Sequence, residues 1–213
     1  MPKTADQASL GQDRPKLTNR GEITRQRIVA AANELMFGQG VAATTLEEVR
    51  AVSGTSNSQL YHYFVDKSDL VQAAIGLQVD RFLETQRSTA ELLDSWESLR
   101  AWRDLMVALQ QGRECRGGCA VGSLASELAD KDEPGRTALV DAFDQWKRYL
   151  ADGLAAMRED GDLVEQADPD ALATALMAAL EGGLILSQTM RSVRPLEISL
   201  DAALGYLETF RRA

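Results

Sequence analysis

At 213 residues and a formal charge of −9, the chain is long enough to bury a real core, as one large or two small domains. Abundant Ala and Leu, five prolines and no convincing β-branched run predict an all-α fold. Two cysteines are too few for a disulfide framework and no stretch approaches the ~20 apolar residues of a membrane span, so a reducing cytoplasm is expected.

The charge is unevenly spread. Residues 1–70 carry eight Lys/Arg and eight Asp/Glu, so the whole negative excess lies beyond them. An acidic body held away from phosphates leaves the N-terminal part free to meet DNA, and Arg14, Lys16, Arg20, Arg25 and Arg27 cluster there. Residues 1–17 are polar, aperiodic and without the apolar core of a signal peptide. They are expected to form a mobile basic arm that either tracks phosphates or a minor groove, or simply solubilises the chain.

A first helix is predicted from about Thr24 to Phe37, burying Ile28, Ala32 and Leu35 and ending at Gly38 and Gly40. Thr45-Leu46-Glu47-Glu48 is then an S/T-x-x-E capping box that starts a short helix at Leu46, with Val49 three residues on. Ser53-Gly54-Thr55 breaks it, and Ser56 caps a second short helix whose Leu60 and Phe64 face the first. Asn57, Ser58, Gln59, Tyr61 and His62 are left pointing outward. Two short helices, a glycine turn and a hydrogen-bonding outer face form a helix-turn-helix suited to a DNA major groove.

The run Thr24-Arg25-Gln26-Arg27-Ile28, then Gly40, Thr45, Val49, Gly54, Ser56, Leu60-Tyr61-His62-Tyr63-Phe64, Lys67 and Leu70, resembles the N-terminal domain of TetR-family transcriptional regulators. The match covers about residues 20 to 75, with its features in the family's order. On this reading Asn57, Ser58 and Gln59 are candidates for base edges, with His62 beside them, while Thr45, Tyr61, Tyr63 and Lys67 hold phosphates. Arg25 and the cap Ser56 complete the expected DNA-binding set.

Asp66 caps the next helix, and Lys67 at its start can reach a phosphate. Leu70, Ala74 and Leu77 form one stripe of it and Val71, Ile75, Val79 and Phe82 another, so it should connect two bodies. The expected domains are a DNA-binding unit at 18–68 and an effector-binding and dimerisation unit at 69–213. Further helices are predicted at about 95–110, 121–130, 135–158, 169–190 and 196–212, broken by Gly112, Gly117-Gly118, Pro134-Gly135, Gly161 and Pro195. Asp168-Pro169 reads as a cap followed by proline at the first helical position.

The last two helices carry more apolar surface than a solvent-facing helix needs. Leu172, Leu176, Leu180 and Leu184 line one side of the first, with Ala175, Ala179 and Gly183 alongside; Leu200, Leu204 and Leu207 line the second. Small residues such as Gly182, Gly183 and Gly205 permit close backbone approach. The resemblance implies a two-fold homodimer built as a four-helix bundle, with Leu172, Ala175, Ala179, Gly183, Leu200, Leu204 and Leu207 at its interface.

The middle helices hold Trp96, Trp102, Met106, Phe143, Trp146, Tyr149 and Met157, which either fill core or line an apolar cavity. TetR-like regulators bind small-molecule effectors in such a cavity, and Trp102, Met106, Cys119, Phe143, Trp146 and Met177 are assigned to it on that basis. The stretch Gly118 to Glu127 resembles one found in a group of TetR-like proteins where Gly-Cys-Pro precedes a Gly-Ser helix start; here Ala120 replaces the proline. Cys119 near a helix N-terminus, with Arg113 and Arg116 close in sequence, is either an inert buried thiol or a sensor of oxidants and electrophiles.

No G-x-S-x-G, Walker or dinucleotide fingerprint is present, and His62 is the one histidine, so no enzyme, cofactor or metal site is expected. The remaining alternative is a helical dimer with degenerate DNA binding that acts through protein partners. The favoured expectation is a homodimeric repressor of double-stranded DNA. Its recognition helices would lie ~34–36 Å apart, or a multiple of that, on an inverted-repeat operator, and an effector would release it.

Overall fold

The computed structural model describes residues 17–87 and 92–212. Among them are nine helices and no strand, only an isolated antiparallel bridge between Leu163 and Arg211. The helices are α1 Asn19–Gln39, α2 Leu46–Ser53, α3 Asn57–Tyr63, α4 Lys67–Arg87, α5 Trp96–Gly112, α6 Ala120–Leu128, α7 Glu133–Glu159, α8 Pro169–Met190 and α9 Arg194–Glu208. Arg14 and Lys16 of the expected arm lie outside the described residues; Arg20 is exposed in the first turn of α1.

Local chemistry sets the helix starts. α1 begins a turn and a half before Thr24 because Thr18 caps it, its Oγ1 accepting from the Gly21 amide at 3.2 Å. It stops at Gly40, whose φ of 87° needs a glycine. α2 opens on the expected capping box: the Glu48 amide donates to Thr45 Oγ1 at 3.2 Å and the Thr45 amide to Glu48 Oε2 at 2.8 Å. Asp66 Oδ1 takes the Asp69 amide at 2.9 Å before α4, and Asp168 Oδ1 takes the Asp170 and Ala171 amides before α8.

α1, α2 and α3 close a small core around Ile28, Ala32, Val49, Leu60 and Phe64, all essentially inaccessible. α4 packs on α1 and also on α7 and α6. Its Leu70, Val71, Ala74, Ile75 and Val79 are all buried, as a helix joining two bodies requires. The larger body is built from α5 to α9. At Gly153 of α7 an added Cβ would come 2.3 Å from the Leu93 carbonyl oxygen, so the 92–94 segment rides directly on the α7 backbone.

α8 and α9 form the most extensive helix pair, and they overturn part of the expected interface. Leu172, Leu200 and Leu207 are buried within the chain itself. Gly183 lies in the α8–α9 seam, where a Cβ would stand 3.0 Å from the Leu196 Cα. These four residues belong to the subunit's own core; periodicity shows two apolar stripes but not which of them the chain keeps for itself. Ala175, Ala179 and Leu204 are half-buried at the edge. The outward stripe is Gly182, Ile185, Leu186 and Met190 on α8, with Ile198, Ala202, Gly205 and Tyr206 on α9. α8 is also long and apolar enough, by length and composition, to cross a membrane, contrary to expectation. Its buried Leu172, Ala173, Leu176 and Leu180 mark it as a core helix.

Candidate nucleic-acid interface and cavity

α3 presents Asn57, Ser58, Gln59, Tyr61 and His62 to solvent, while Leu60 and Phe64 anchor its other side. Gln59 is more constrained than expected. Its Oε1 accepts from the Ser56 amide at 2.9 Å while its own amide donates to Ser56 Oγ at 3.2 Å, making it the third-turn-position partner in a second capping box. Ser56-Asn57-Ser58-Gln59 is the S-x-x-Q form of that box, a signal present in the sequence. Base reading by Gln59 would therefore use its free Nε2 end, or release the cap. Asn57 and His62 make no side-chain hydrogen bond among the described residues.

The expected phosphate contacts are mostly held in place by other partners. Thr45 Oγ1 donates to Glu48 Oε2 at 2.8 Å. The Thr45 amide and hydroxyl in turn hold the Glu48 carboxyl below the usual carboxylate range. Lys67 Nζ donates to the Val41 carbonyl, leaving two of its three N–H groups for solvent or phosphate. The Arg25 guanidinium sits 5.4 Å from the Phe64 ring centroid. Tyr63 is half-buried, its hydroxyl beside Gly21 in the first turn of α1, whereas Tyr61 is 58% exposed.

A cavity of about 350 Å³ lies between α1 and the larger body. Asn33 and Phe37 of α1, Gln78, Arg81, Phe82 and Thr85 of α4, Met106, Leu109 and Gln110 of α5, and Trp146 of α7 line it. Arg113, Gly118, Cys119, Ala120, Val121 and Leu184 complete the wall. Met106, Cys119 and Trp146 are thus at the cavity, and Trp102, Phe143 and Met177 are not. Trp102 is sealed in the core at 1% exposure, Phe143 stacks on Trp146 with ring centroids 6.5 Å apart, and Met177 packs against the core. The walls from α1 and α4 carry no local sign in the sequence, since their residues read as part of the DNA-binding unit and of the connector. The Phe82 and Trp146 rings meet at 4.1 Å. Among the described residues, buried Gln110 Nε2 and Trp146 Nε1 have no hydrogen-bond partner.

Cys119 caps α6, its Sγ accepting from the Gly122 amide at 3.3 Å. Burial, and then the neighbouring Glu181 carboxylate, push its thiol well above the ordinary range. Arg116 turns instead to Glu114, 3.7 Å away. The surroundings favour a thiol over the reactive thiolate that a helix N-terminus and nearby arginines had suggested. Burial likewise raises the Glu181 carboxyl.

The body also grips the N-terminal helices through side chains. Glu127 of α6 accepts from the Val41 and Ala42 amides in the loop before α2. Asn33 Nδ2 donates to the Ala74 carbonyl at 3.2 Å, and Arg81 Nη1 reaches Asn33 Oδ1 at 3.5 Å.

A helix-turn-helix with a polar outer α3, fused through a shared helix to a larger all-helical body, is the architecture of a DNA-binding transcriptional regulator. Residues 28–74 match the bacterial regulatory proteins of the tetR family, and residues 95–201 match the C-terminal domain described as transcriptional regulator LmrA/YxaF-like. The chain belongs to the TetR family of transcriptional regulators, and it is not an enzyme.

Among its relatives is the uncharacterized HTH-type transcriptional regulator YxaF of Bacillus subtilis, 32% identical over 184 residues, which span 84% of this chain and 92% of that protein. The HTH-type transcriptional repressor DhaR of Mycobacterium sp. is 24% identical over 177 residues, 81% of this chain and 86% of its own length. In fold, a TetR transcriptional regulator from Chloroflexus aurantiacus superimposes with a TM-score of 0.76 at 22% identity, covering 92% of this chain and 99% of that one.

Proposed function

We propose that the chain acts as a homodimeric repressor, bound to an inverted-repeat operator in the cytoplasm and released when a small molecule occupies the cavity. Residues 18–68 serve as the DNA-binding unit and 69–213 as the effector and dimerisation unit. Asn57, Ser58, Gln59 and His62 face base edges, while Arg25, Thr45, Ser56, Tyr61, Tyr63 and Lys67 set register on the phosphates. The observation that carries the reading is the cavity wall itself: Asn33 and Phe37 belong to the first helix of the DNA-binding unit, so a molecule in the cavity bears on both bodies at once.

The dimer is assigned to the outward faces of α8 and α9. Ile185, Leu186, Met190, Ile198 and Tyr206 are each more than half exposed there. A Cβ on Gly182 or Gly205 would meet nothing within 4 Å, so neither glycine is needed by the subunit itself. A glycine inside a helix costs about 1 kcal/mol relative to alanine, and close approach of a second backbone accounts for it. Repression agrees with the name of DhaR.

Selection of bound genomic fragments by the full chain, followed by sedimentation at micromolar concentration, tests the whole reading. Recovery of an inverted repeat by a dimer is expected, and a monomer that selects no sequence would overturn it. The effector part has its own test in a reporter driven by the selected operator. The cavity-filling variant Leu109→Trp should keep the reporter repressed under conditions that relieve the parent.

A further inference from the structure

We infer that the cavity takes a small organic anion with an apolar body, a carboxylate carried on one or two rings or a short chain; this rests on the effector reading above. The lining carries two cations, Arg81 and Arg113, and no Lys, Asp or Glu. That sign is opposite to the acidic excess of the chain as a whole. Neither guanidinium is paired with a carboxylate among the described residues, and both are exposed, so they stand at the mouth.

Deeper in, the buried polar atoms are of both kinds. Among the described residues, Gln110 Nε2 and Trp146 Nε1 are donors without acceptors, and Glu181 Oε1 is an acceptor without a donor. Glu181, the carboxylate next to Cys119, is held against Gly122 and is not one of the lining residues.

The rest of the wall is apolar and aromatic, with the Phe82–Trp146 pair and Met106 prominent. A volume of about 350 Å³ is at the lower end of the roughly 300–1,000 Å³ common for small-molecule sites. A cation there would face two guanidiniums with no counter-charge. A hydrocarbon would leave both guanidiniums without a counter-charge. An anion with an apolar body answers both.

Three probes of one shape separate these cases: 2-naphthoate, 2-naphthamide and 2-naphthylmethylamine, titrated into the full chain by calorimetry and tryptophan fluorescence. The acid should bind about tenfold more tightly than the amide, and the amine most weakly, as charge-assisted bonds to guanidinium dictate. Arg81→Ala/Arg113→Ala should bring the acid down to the level of the amide and leave the amide unchanged, with helical content kept. An amide or amine that binds at least as well as the acid, and loses its binding in Leu109→Trp, overturns the anion inference and leaves the effector cavity standing. Binding of the acid that survives Leu109→Trp places the ligand elsewhere and overturns both. Silence from all three probes also overturns the anion inference, while the reporter test above still decides the effector reading.

Discussion

Glu127 and Val41 meet where the larger body touches the DNA-binding helices: Glu127 Oε2 accepts from the Val41 amide at 2.9 Å, and its Oε1 takes the next amide, Ala42, at 2.6 Å. Glu127 stands in the last turns of α6, whose first turn walls the cavity with Cys119, Ala120 and Val121. Val41 stands in the loop that leads into α2, and its carbonyl also receives Lys67. A nine-residue helix thus has one end on the cavity and the other on the helix-turn-helix.

Glu127→Ala removes both acceptors. Hydrogen bonds to a charged group contribute about 1.5–3 kcal/mol when buried, and partial exposure reduces the expected loss here to about 1–2 kcal/mol in denaturant unfolding. The more telling effect is on coupling. The ratio of operator affinities with and without an effector should contract towards one. An unchanged ratio in a folded Glu127→Ala protein would remove this contact from the signalling route.

Asn57 and Gln59 are distinguished by what each does in the free protein. Asn57→Ala should change base preference at one position in each half-site and leave thermal stability alone. Gln59→Ala should do two things, relaxing base preference by about 1–3 kcal/mol if its contact is bidentate and lowering stability by about 0.5–1 kcal/mol through the lost cap. Lys67→Ala should weaken all DNA sequences alike and flatten the salt dependence. Equal operator binding by all three variants and the parent at matched salt would displace α3 from the groove.

The neighbouring glycines of α8 should behave oppositely. Gly183→Ala places a methyl against Leu196 and Ser199 inside the subunit, and overpacking of that kind costs about 1–3 kcal/mol. Gly182→Trp enters open space in the subunit but the middle of the assigned interface, so it should yield folded monomers in sedimentation and weak operator binding. Tyr206→Arg should do the same from α9. Folded dimers from both would move the interface elsewhere.

The raised Glu181 carboxyl gives a pH dependence with a definite sign. An acid whose folded-state value lies above its unfolded value loses its proton first in the unfolded chain. Stability is therefore lost as pH rises from the ordinary glutamate range through the higher folded value. Glu181→Gln removes that loss, so its melting temperature should exceed the parent's at pH 8 and approach it at pH 4. Parallel melting curves at both pH values would show that Glu181 is better solvated than its surroundings indicate.

Cys119, as a thiol shielded by burial and by Glu181, should be slow to oxidise. Mild peroxide should leave operator binding intact in the parent and in Cys119→Ser alike. Peroxide-induced release from DNA in the parent alone would establish a redox switch.

The parts of the fold legible in the sequence were those encoded over three or four residues. Thr45–Glu48, Asp66 and Asp168–Pro169 announced their helices because a cap and its amide are near neighbours in the chain. Gly153 carried no such sign: its need for a bare backbone comes from Leu93, sixty residues away. The two faces of α8 were visible as apolar, but leucines facing α9 and leucines facing solvent look the same in a list of positions. At the candidate site, α3 was readable as a polar face. The spacing of Ser56 and Gln59 fits a cap, but the same exposed Gln59 also fits a base-reading face, and only the folded geometry shows it engaged with Ser56. The cavity is legible in part: Met106, Cys119 and Trp146 stand out as aromatic or soft, whereas nothing local marks Asn33 and Phe37 on the first helix as facing the larger body.

That shared wall bears on how such a regulator can be rebuilt. A chimera that joins residues 1–68 of this chain to a different helical body would carry Asn33 and Phe37 away from Met106 and Trp146, and deliver half of a binding site to each parent. Retargeting to a new inducer meets the same constraint in reverse, because enlarging the cavity at Phe37 alters the helix on which α2 and α3 are seated. On the proposed effector reading, inducer choice and operator affinity are one inherited trait, and a library meant to vary the first has to be screened for the second.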